Sequence, residues 1–165
     1  MAVVADVIVG VGALYYDVAG APIPGILFGY TEDGVTIEYS ADVADIEVEE
    51  ETFAINRVIT KEEVTITCNL AENLLANLRV ALPGASGVAP IINLGAGAMQ
   101  TLSLRFVGGA PVTGGLTIRT IYAQFAHPIG PVGMAYKKGE KTLIPVAFKA
   151  YQGEAGGYPI IITDS

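Results

Sequence analysis

The residue types that most often carry out enzymatic chemistry are scarce in this chain of 165 residues, which has one histidine, His127, and one cysteine, Cys68. No serine or cysteine lies in a nucleophile motif such as G-x-S-x-G, and His127 stands directly before Pro128, so we expect a structural histidine. Cys68 lies in an alternating β pattern without a second cysteine to pair with, so we expect a small buried hydrophobe. The sequence therefore predicts a protein that is not an enzyme and has no catalytic residues.

Two sequence patterns resemble ligand-binding motifs, but each lacks a feature that binding would need. Gly10-Val-Gly12 begins like a dinucleotide fingerprint, but the third glycine and the βαβ unit are missing. An acidic row alternates along one expected strand and consists of Asp45, Glu47, Glu49 and Glu51. Four such carboxylates would spread over about 20 Å, whereas Ca²⁺ needs converging oxygens. We expect a solvated acidic face, with no cofactor and no metal ion.

Charge is divided unevenly along the chain. Residues 1–56 contain eleven acids and no lysine or arginine, whereas residues 57–165 contain six acids and nine bases, a net of +3. The excess of acids opposes binding to nucleic acid, which needs clustered Lys and Arg. The division favours either two complementary surfaces or a surface that repels a polyanion.

The composition predicts a mainly β protein with surplus apolar surface. Hydrophobic residues make up 52% of the chain and charged residues 16%, against about 25% charged in ordinary soluble domains. No apolar run approaches the ~20 residues of a spanning helix, and the acidic start does not resemble a signal peptide, so we expect no membrane contact. Twenty glycines and nine prolines argue against an all-helical chain. Surplus apolar surface is often buried in an oligomer.

Alternation of apolar and polar residues predicts about eight strands in a single domain, residues 1–165. In one of these strands, Arg57–Leu70, the even-numbered residues from Val64 to Leu70 share the buried face. In another, Leu102, Leu104 and Phe106 point inward, and Ser103 and Arg105 outward. The expected strands are Asp6–Tyr16, Gly34–Tyr39, Val43–Glu50, Arg57–Leu70, Gln100–Val107, Gly115–Ala126, Thr142–Tyr151 and Tyr158–Thr163, with a further short one at Pro90–Leu94.

One helix is expected at about 72–82, where the period changes to 3.6. Asn69 and Glu72 resemble a capping box at its start, and Pro83-Gly84 ends it. Its expected apolar stripe consists of Leu74, Leu75, Leu78, Ala81 and Leu82.

Several breaks between strands are also expected. Asp33-Gly34 is typical of a tight turn, and Gly108–Gly115 of a hairpin loop. A slip in the apolar phase between Ile118 and Ile121 indicates a bulge. Pro145 confines its strand to an edge or an unpaired position.

Four segments, in order along the chain, resemble a major tail tube protein of a long-tailed bacteriophage. They are the turn and strand within Leu27–Ile37, the acidic strand Ala44–Glu49, the strand leading into the helix at Lys61–Leu75, and the closing strand Lys138–Ala150. At Glu49-Glu50 this chain departs from the Asp-Gln that the family usually carries. Each segment is short, and the likeness lies in their order over most of the chain.

The resemblance implies a β-sandwich or barrel-like fold with one flanking helix. Subunits of that family form rings, typically hexameric, whose inner sheets join into a continuous β-barrel, and the rings stack into a tube that conducts DNA to the host. The implied partners are further copies of the chain and other tail proteins, and DNA passes through the lumen without specific binding. The implied location is the virion tail, after synthesis in the host cytoplasm.

The acidic first third has two possible places in such a tube. It either forms a ring-stacking face or lines the lumen, where like charge repels DNA. On the second alternative, some of Glu47, Glu49 and Glu63 face the lumen. The segments Asp17–Gly29 and Gly84–Gly97 are the loops expected to bridge rings, and deleting either is expected to stop tube growth.

Other classes of protein stay open at this point. A tail terminator, a decoration protein or the inner tube of a contractile injection system could share the likeness. A small-ligand-binding β-barrel is a more remote alternative, and the absence of tryptophan counts against it.

Overall fold

A computed structural model of the chain describes residues 12–47, 49, 53–72, 74–87, 90–95, 97–113, 116–134, 136, 138–139, 141–153 and 157–165. The protein is mainly β, with 57% of its residues in strands and one short helix, as the sequence predicts. The elements are β1 (Ala13–Val18), β2 (Ile26–Leu27), β3 (Thr31–Ile46), β4 (Asn56–Leu70), α1 (Leu75–Ala81), β5 (Leu102–Thr113), β6 (Leu116–Ile129), β7 (Ile144–Ala150) and β8 (Ile160–Asp164). The first part of the expected strand Asp6–Tyr16 lies outside the described residues. The expected strand Val43–Glu50 is too long, because β3 ends at Ile46 and the described residues Glu47 and Glu49 are not in a strand. Val48 and Glu50 lie outside the described residues.

The strands form one open antiparallel sheet in the order β2-β1-β5-β6-β7-β4-β3. The eighth strand, β8, pairs with residues 119–123 of β6, and β7 pairs with residues 126–129 of the same strand. Strand β5 pairs along one edge of β6. Strands β8 and β7 therefore pair with consecutive stretches of the opposite edge of β6.

The sheet curls around one hydrophobic core. Leu14 of β1, Leu104 of β5, Ile66 of β4 and Phe148 of β7 belong to the same buried cluster, although their strands lie far apart in the sheet order. Phe28 joins the two ends of the curl: its ring packs edge-on against Phe148, with centroids 5.5 Å apart. The curl therefore closes around side chains of β1, β4, β5 and β7.

The helix is shorter than predicted, and its expected start is wrong. Asn69 does not cap it, because this residue is still in β4 and pairs with Glu32 and Pro145 on the neighbouring strands. Leu74 precedes the helix and makes no side-chain cap. The buried face also differs: Asn77 and Val80 are buried beside Leu78 and Ala81, whereas Leu74 and Leu75 are exposed.

The end of α1 is held by a side chain from outside the helix. Gln100 Nε2 donates to the carbonyl oxygens of Arg79, at 3.2 Å, and Ala85, at 2.8 Å. Carbonyls at a helix end lack partners within the helix, so this amide supplies one. Among the described residues no helix is long and apolar enough to span a membrane.

The two strands expected at Gly34–Tyr39 and Val43–Glu50 are one continuous strand, β3. The predicted turn at Asp33-Gly34 is wrong, because both residues adopt left-handed φ angles (63° and 80°) without reversing the chain. Register moves from Glu32 opposite Asn69 to Val35 opposite Cys68, so the pair forms a two-residue bulge.

The predicted hairpin loop at Gly108–Gly115 is also wrong in extent. Strand β5 continues to Thr113, which pairs with Leu116 of β6. Gly108 makes room for the ring of Phe106, since a Cβ there would lie 2.8 Å from the ring. Glycine in this strand serves close packing rather than a turn.

The irregularities of β6 lie elsewhere than predicted. Pairing is regular from Ile118 to Ile121, and the register shifts fall between the partners of Leu102 and Leu104 and between those of Gly109 and Thr113. The strand also continues through His127-Pro128 to Ile129.

Three smaller expectations need correction. Ser103 is fully buried rather than outward, and its hydroxyl donates to Gln124 O at 2.8 Å. The segment Asp17–Gly29 contains the end of β1 and all of β2, and Pro90–Leu94 forms only an isolated bridge between Ser86 and Asn93. Pro145 pairs with Asn69 of β4, whereas β6 pairs with β7 only from Ala147 onward, so Pro145 lies at a local edge of the sheet, as one of the two alternatives predicts.

Candidate assembly surface

The outer part of the β3–β4 hairpin extends beyond the sheet, and we call its described residues, 40–47, 49 and 53–63, the hairpin arm. Strand β4 pairs with β7 only over Val64–Leu70. Beyond that point, within the described residues, β3 and β4 pair only with each other. The seven residues from Ser40 to Ile46 give the paired part a length of about 20 Å at the usual rise per strand residue.

The hairpin arm carries apolar side chains on both faces. Residues directly opposite in an antiparallel pair point to the same face. Val43 lies opposite Ile59, and Ala44 opposite Val58, on alternate faces. Among the described residues of the hairpin arm, the exposed large apolar ones are Val43, Ile46, Phe53, Ile55, Val58 and Ile59. A two-stranded hairpin is marginally stable in water, so such a surface favours a partner.

Polar contacts hold the two strands of the hairpin arm in register. Arg57 Nε lies 2.7 Å from Asp45 Oδ1 in an exposed ion pair. Thr60 is the extra residue where the register shifts after Asp42, and its hydroxyl donates to Asp42 O at 3.1 Å. Exposed ion pairs contribute little to stability, so these contacts set geometry rather than supply a core.

A tyrosine at the base of the hairpin arm pairs with one of the arm's acids. Tyr39 donates from its hydroxyl to Glu62 Oε1 at 2.6 Å. This hydrogen bond raises the pKa of Tyr39, because it stabilises the protonated hydroxyl.

The structure does not bring together the three acids predicted to face a lumen. Glu63 lies at the base of the hairpin arm, where its Oε1 is 2.7 Å from Lys149 Nζ and 2.5 Å from Lys61 Nζ. Hydrogen bonds from these lysines lower the pKa of Glu63 to about 2. Glu47 and Glu49 are exposed beyond the end of β3. Glu63 lies opposite Ser40, so at ~3.3 Å per residue Glu47 is roughly 20 Å further along. Their orientation toward a lumen stays a prediction.

Of the two side chains with catalytic potential, Cys68 is buried and His127 is half-buried. His127 Nδ1 donates to Gln100 O at 2.8 Å, and its ring stacks on Tyr151 with centroids 4.3 Å apart. Cys68 is buried, and burial raises the pKa of its thiol to about 12. Among the described residues no group of His, Cys, Asp and Glu has an arrangement that could hold a metal ion.

A row of side chains crosses five neighbouring strands on the face of the sheet opposite the core, and we call it the tyrosine–arginine row. Register places its members side by side: Leu27, Tyr15, Arg105, Tyr122 and Ile161. The guanidinium of Arg105 lies over the ring of Tyr15, 4.7 Å from its centroid. Alternation along single strands predicts that Arg105 points outward, but pairing across strands was needed to reveal the row.

Tyr122, which lies between Arg105 and Ile161 in this row, is anchored to a loop. Tyr122 donates from its hydroxyl to Ala21 O, and Gly20 N donates to Gln124 O at 3.3 Å. The loop after β1 therefore folds back toward β6 on the side of Ser103, which accounts for the burial of that serine.

No protein-family model matches the chain, and the curated proteins include no match to it. Among the described residues, the hairpin arm is the most distinctive surface of the molecule.

Proposed function

We propose that the chain is a structural protein of a bacteriophage tail, and that its copies form rings which stack into the hollow tail tube. The observation that carries the proposal is the hairpin arm, which exposes apolar side chains on both faces beyond the last strand that covers its base. A surface of this kind is costly in a monomer, and a second copy of the chain would cover it.

The rest of the proposed assembly follows the family resemblance. Rings are hexameric, inner sheets join into one barrel, and DNA passes through the lumen without specific binding. An open sheet supports this arrangement, because its end strands can extend the sheet of a neighbouring copy. The other partners are further tail proteins, and the protein resides in the virion after synthesis in the host cytoplasm.

The charge division supports stacking of rings through unlike faces. The hairpin arm belongs largely to the acidic first third, and the remaining chain is basic on balance. A contact between two different surfaces of identical subunits does not close on itself, so it builds a filament. Placing the contact on the hairpin arm replaces the two loops, Asp17–Gly29 and Gly84–Gly97, that the sequence favours.

The remaining alternatives differ in what they require. A tail terminator, a decoration protein or a contractile-system inner tube could use the same arm, and each would differ in the size of assembly. A small-ligand-binding barrel needs an open interior, whereas Phe28, Leu104 and Phe148 fill the centre of this curl.

Negative-stain electron microscopy and sedimentation velocity of the purified chain test the proposal. Rings or tubes are the expected result, and a chain that stays monomeric at high concentration would overturn it. Val43→Asp places a charge in the exposed apolar pair of the hairpin arm and is expected to raise the concentration needed for assembly at least about tenfold.

A matched control separates this contact from a general effect of charge. Val18→Asp makes the same change at an exposed valine of β1, outside the hairpin arm. It is expected to disturb assembly less than Val43→Asp, while both variants keep the thermal unfolding of the wild-type monomer. Equal effects would remove the hairpin arm as the main contact.

A further inference from the structure

The centre of the tyrosine–arginine row contains a charge without a counter-ion. Nε of Arg105 is buried and has no hydrogen-bond partner, and no carboxylate of the described residues forms an ion pair with this guanidinium. Its contact with the ring of Tyr15 supplies an attraction, but one weaker than a carboxylate would give. Arginine stays charged in proteins, and a partly buried charge without a partner is unfavourable.

The surroundings of Arg105 have the composition of a protein–protein contact. Tyrosine and arginine are, with tryptophan, the residues most enriched among those that dominate binding energy. The row ends in apolar side chains at Leu27 and Ile161, which are both about 45% exposed. A guanidinium flanked by two tyrosines and bordered by aliphatic residues therefore fits a partner that offers a carboxylate beside apolar groups.

The hairpin arm has that combination near its tip. Glu47 and Glu49 are exposed, and neither forms an ion pair within the described part of the chain. Phe53, which at 85% is the most exposed large apolar residue in the described part of the chain, and Ile55 follow in the same connection. The two surfaces are thus complementary in charge and both carry exposed apolar side chains.

We propose that the tyrosine–arginine row of one copy receives the tip of the hairpin arm of a second copy, with Arg105 binding the carboxylate of Glu47 or Glu49. The inference rests on the proposed function, since it names the surface that the hairpin arm contacts. Donor and acceptor surfaces differ, so each copy offers both and the contact propagates from copy to copy.

Loss of the charge at Arg105 tests the contact. Arg105→Gln is expected to raise the concentration at which the chain assembles at least about tenfold in sedimentation velocity. Lys141→Gln is the control, because it removes the same charge from an exposed side chain that already pairs with Glu32, and we expect wild-type assembly from it. Thermal unfolding of both variants reports whether the monomer is intact, and Arg105→Lys, which keeps the charge, is expected to assemble better than Arg105→Gln.

Exchange of the charges identifies the partner. Arg105→Glu alone and the pair Glu47→Arg with Glu49→Arg alone are each expected to prevent assembly. All three changes in one chain restore opposite charges across the contact and are expected to recover assembly in large part. Recovery would not follow if Arg105 acted only within its own subunit.

The outcomes separate this inference from the proposed function. Monomeric wild-type protein overturns both. Normal assembly of Arg105→Gln, or no recovery in a charge-exchanged chain that unfolds like the wild type, overturns the inference and leaves the tube proposal in place. Normal tubes of Arg105→Gln with weakened, salt-dependent binding of double-stranded DNA would show that the guanidinium faces a phosphate, which also overturns it.

Discussion

The two halves of the β3–β4 hairpin share their strands but not their surroundings. In the inner half, residues 64–70 of β4 alternate regularly between buried and partly buried side chains. In the outer half, the hairpin arm, residues 56–62 of the same strand are all exposed. Ile66 is 2% exposed and Ile59 is 58% exposed, seven residues away along one strand.

The neighbouring strand makes the difference. Strand β7 covers one edge of β4 up to Val64, and the core residues Phe148 and Val146 of β7 pack with the inner half. From Asn56 to Glu62, strand β4 still carries apolar side chains such as Val58 and Ile59, but β7 does not pair with it there. The comparison indicates that the hairpin arm is built for burial that the single chain does not supply.

Thiol reactivity gives the largest contrast between the two halves. Cys68 lies in the inner half, and burial raises the pKa of its thiol to about 12. A cysteine placed in the hairpin arm by Ile59→Cys, in a Cys68→Ala background, is expected to have an ordinary pKa near 8.5. At pH 8 a much smaller fraction of Cys68 is thiolate, and burial also keeps the reagent away from it, so alkylation of the native, unassembled chain by iodoacetamide is expected to be slower at Cys68 by at least about a hundredfold.

Assembly sharpens the same measurement. The cysteine of Ile59→Cys is expected to become several-fold less reactive when rings or tubes form, whereas Cys68 stays slow in both states. Comparable rates at the two positions in the unassembled chain would contradict the described burial. An unchanged rate for the arm cysteine on assembly would contradict the proposed contact.

Stability of the monomer gives the second contrast. Ile66→Ala removes buried methyl groups from the core and is expected to lower the free energy of unfolding by about 2–5 kcal/mol. Ile59→Ala is the same change on the same strand and is expected to cost less than about 0.5 kcal/mol, as exposed substitutions usually do. Urea unfolding of the unassembled chain measures both, and a large loss from Ile59→Ala would mean that the hairpin arm is covered within its own subunit.

The inner half could be predicted from sequence because its pattern is local. Alternation from Val64 to Leu70 is regular, and each even-numbered residue is buried as expected. The same rule identifies most of the strands, since a side chain's face depends only on its position along the strand. It cannot say which strands are neighbours, and so it predicts neither the length of the hairpin arm nor the tyrosine–arginine row.

Glycine and polar residues account for most of the wrong predictions. Asp33-Gly34 has the composition of a turn, but β4 continues past it and pairing on both sides turns it into a bulge. Gly108 has the composition of a loop, whereas the ring of Phe106 occupies the space that a side chain would fill. Asn69 resembles a helix cap, yet both of its neighbouring strands hold it in the sheet. In each case a partner distant in sequence overrides the local preference.

The acidic residues of the candidate assembly surface can be identified from the sequence, but the residues that pair with them can be identified only from the structure. The row of acids predicts a solvated face, and the charge division favours either two complementary surfaces or a surface that repels a polyanion. Which base lacks a counter-ion is a matter of three-dimensional contacts. Glu63 belongs to the predicted acids but is neutralised by Lys61 and Lys149, whereas Arg105 has no such partner.

The junction between the two halves gives the smallest expected effect, and it depends on pH. Lys149 of β7 and Lys61 of the hairpin arm both bind Glu63 and lower its pKa from 4.5 to about 2. A lowered pKa means that the folded state favours the ionised carboxylate, so its contribution to stability is complete above about pH 4.5 and is lost as the pH falls toward 2. Glu63→Gln is therefore expected to flatten the decline of the urea midpoint over this window, with only a slight change at pH 7 because the pair is exposed to solvent.

Glu38→Gln is the control for this prediction. It removes the same charge from an exposed position of β3 without an ion pair among the described residues, and it is expected to keep the wild-type slope. Identical slopes for Glu63→Gln and Glu38→Gln would mean that these ion pairs do not couple the base of the hairpin arm to β7, and that the two halves are joined only through their shared strands.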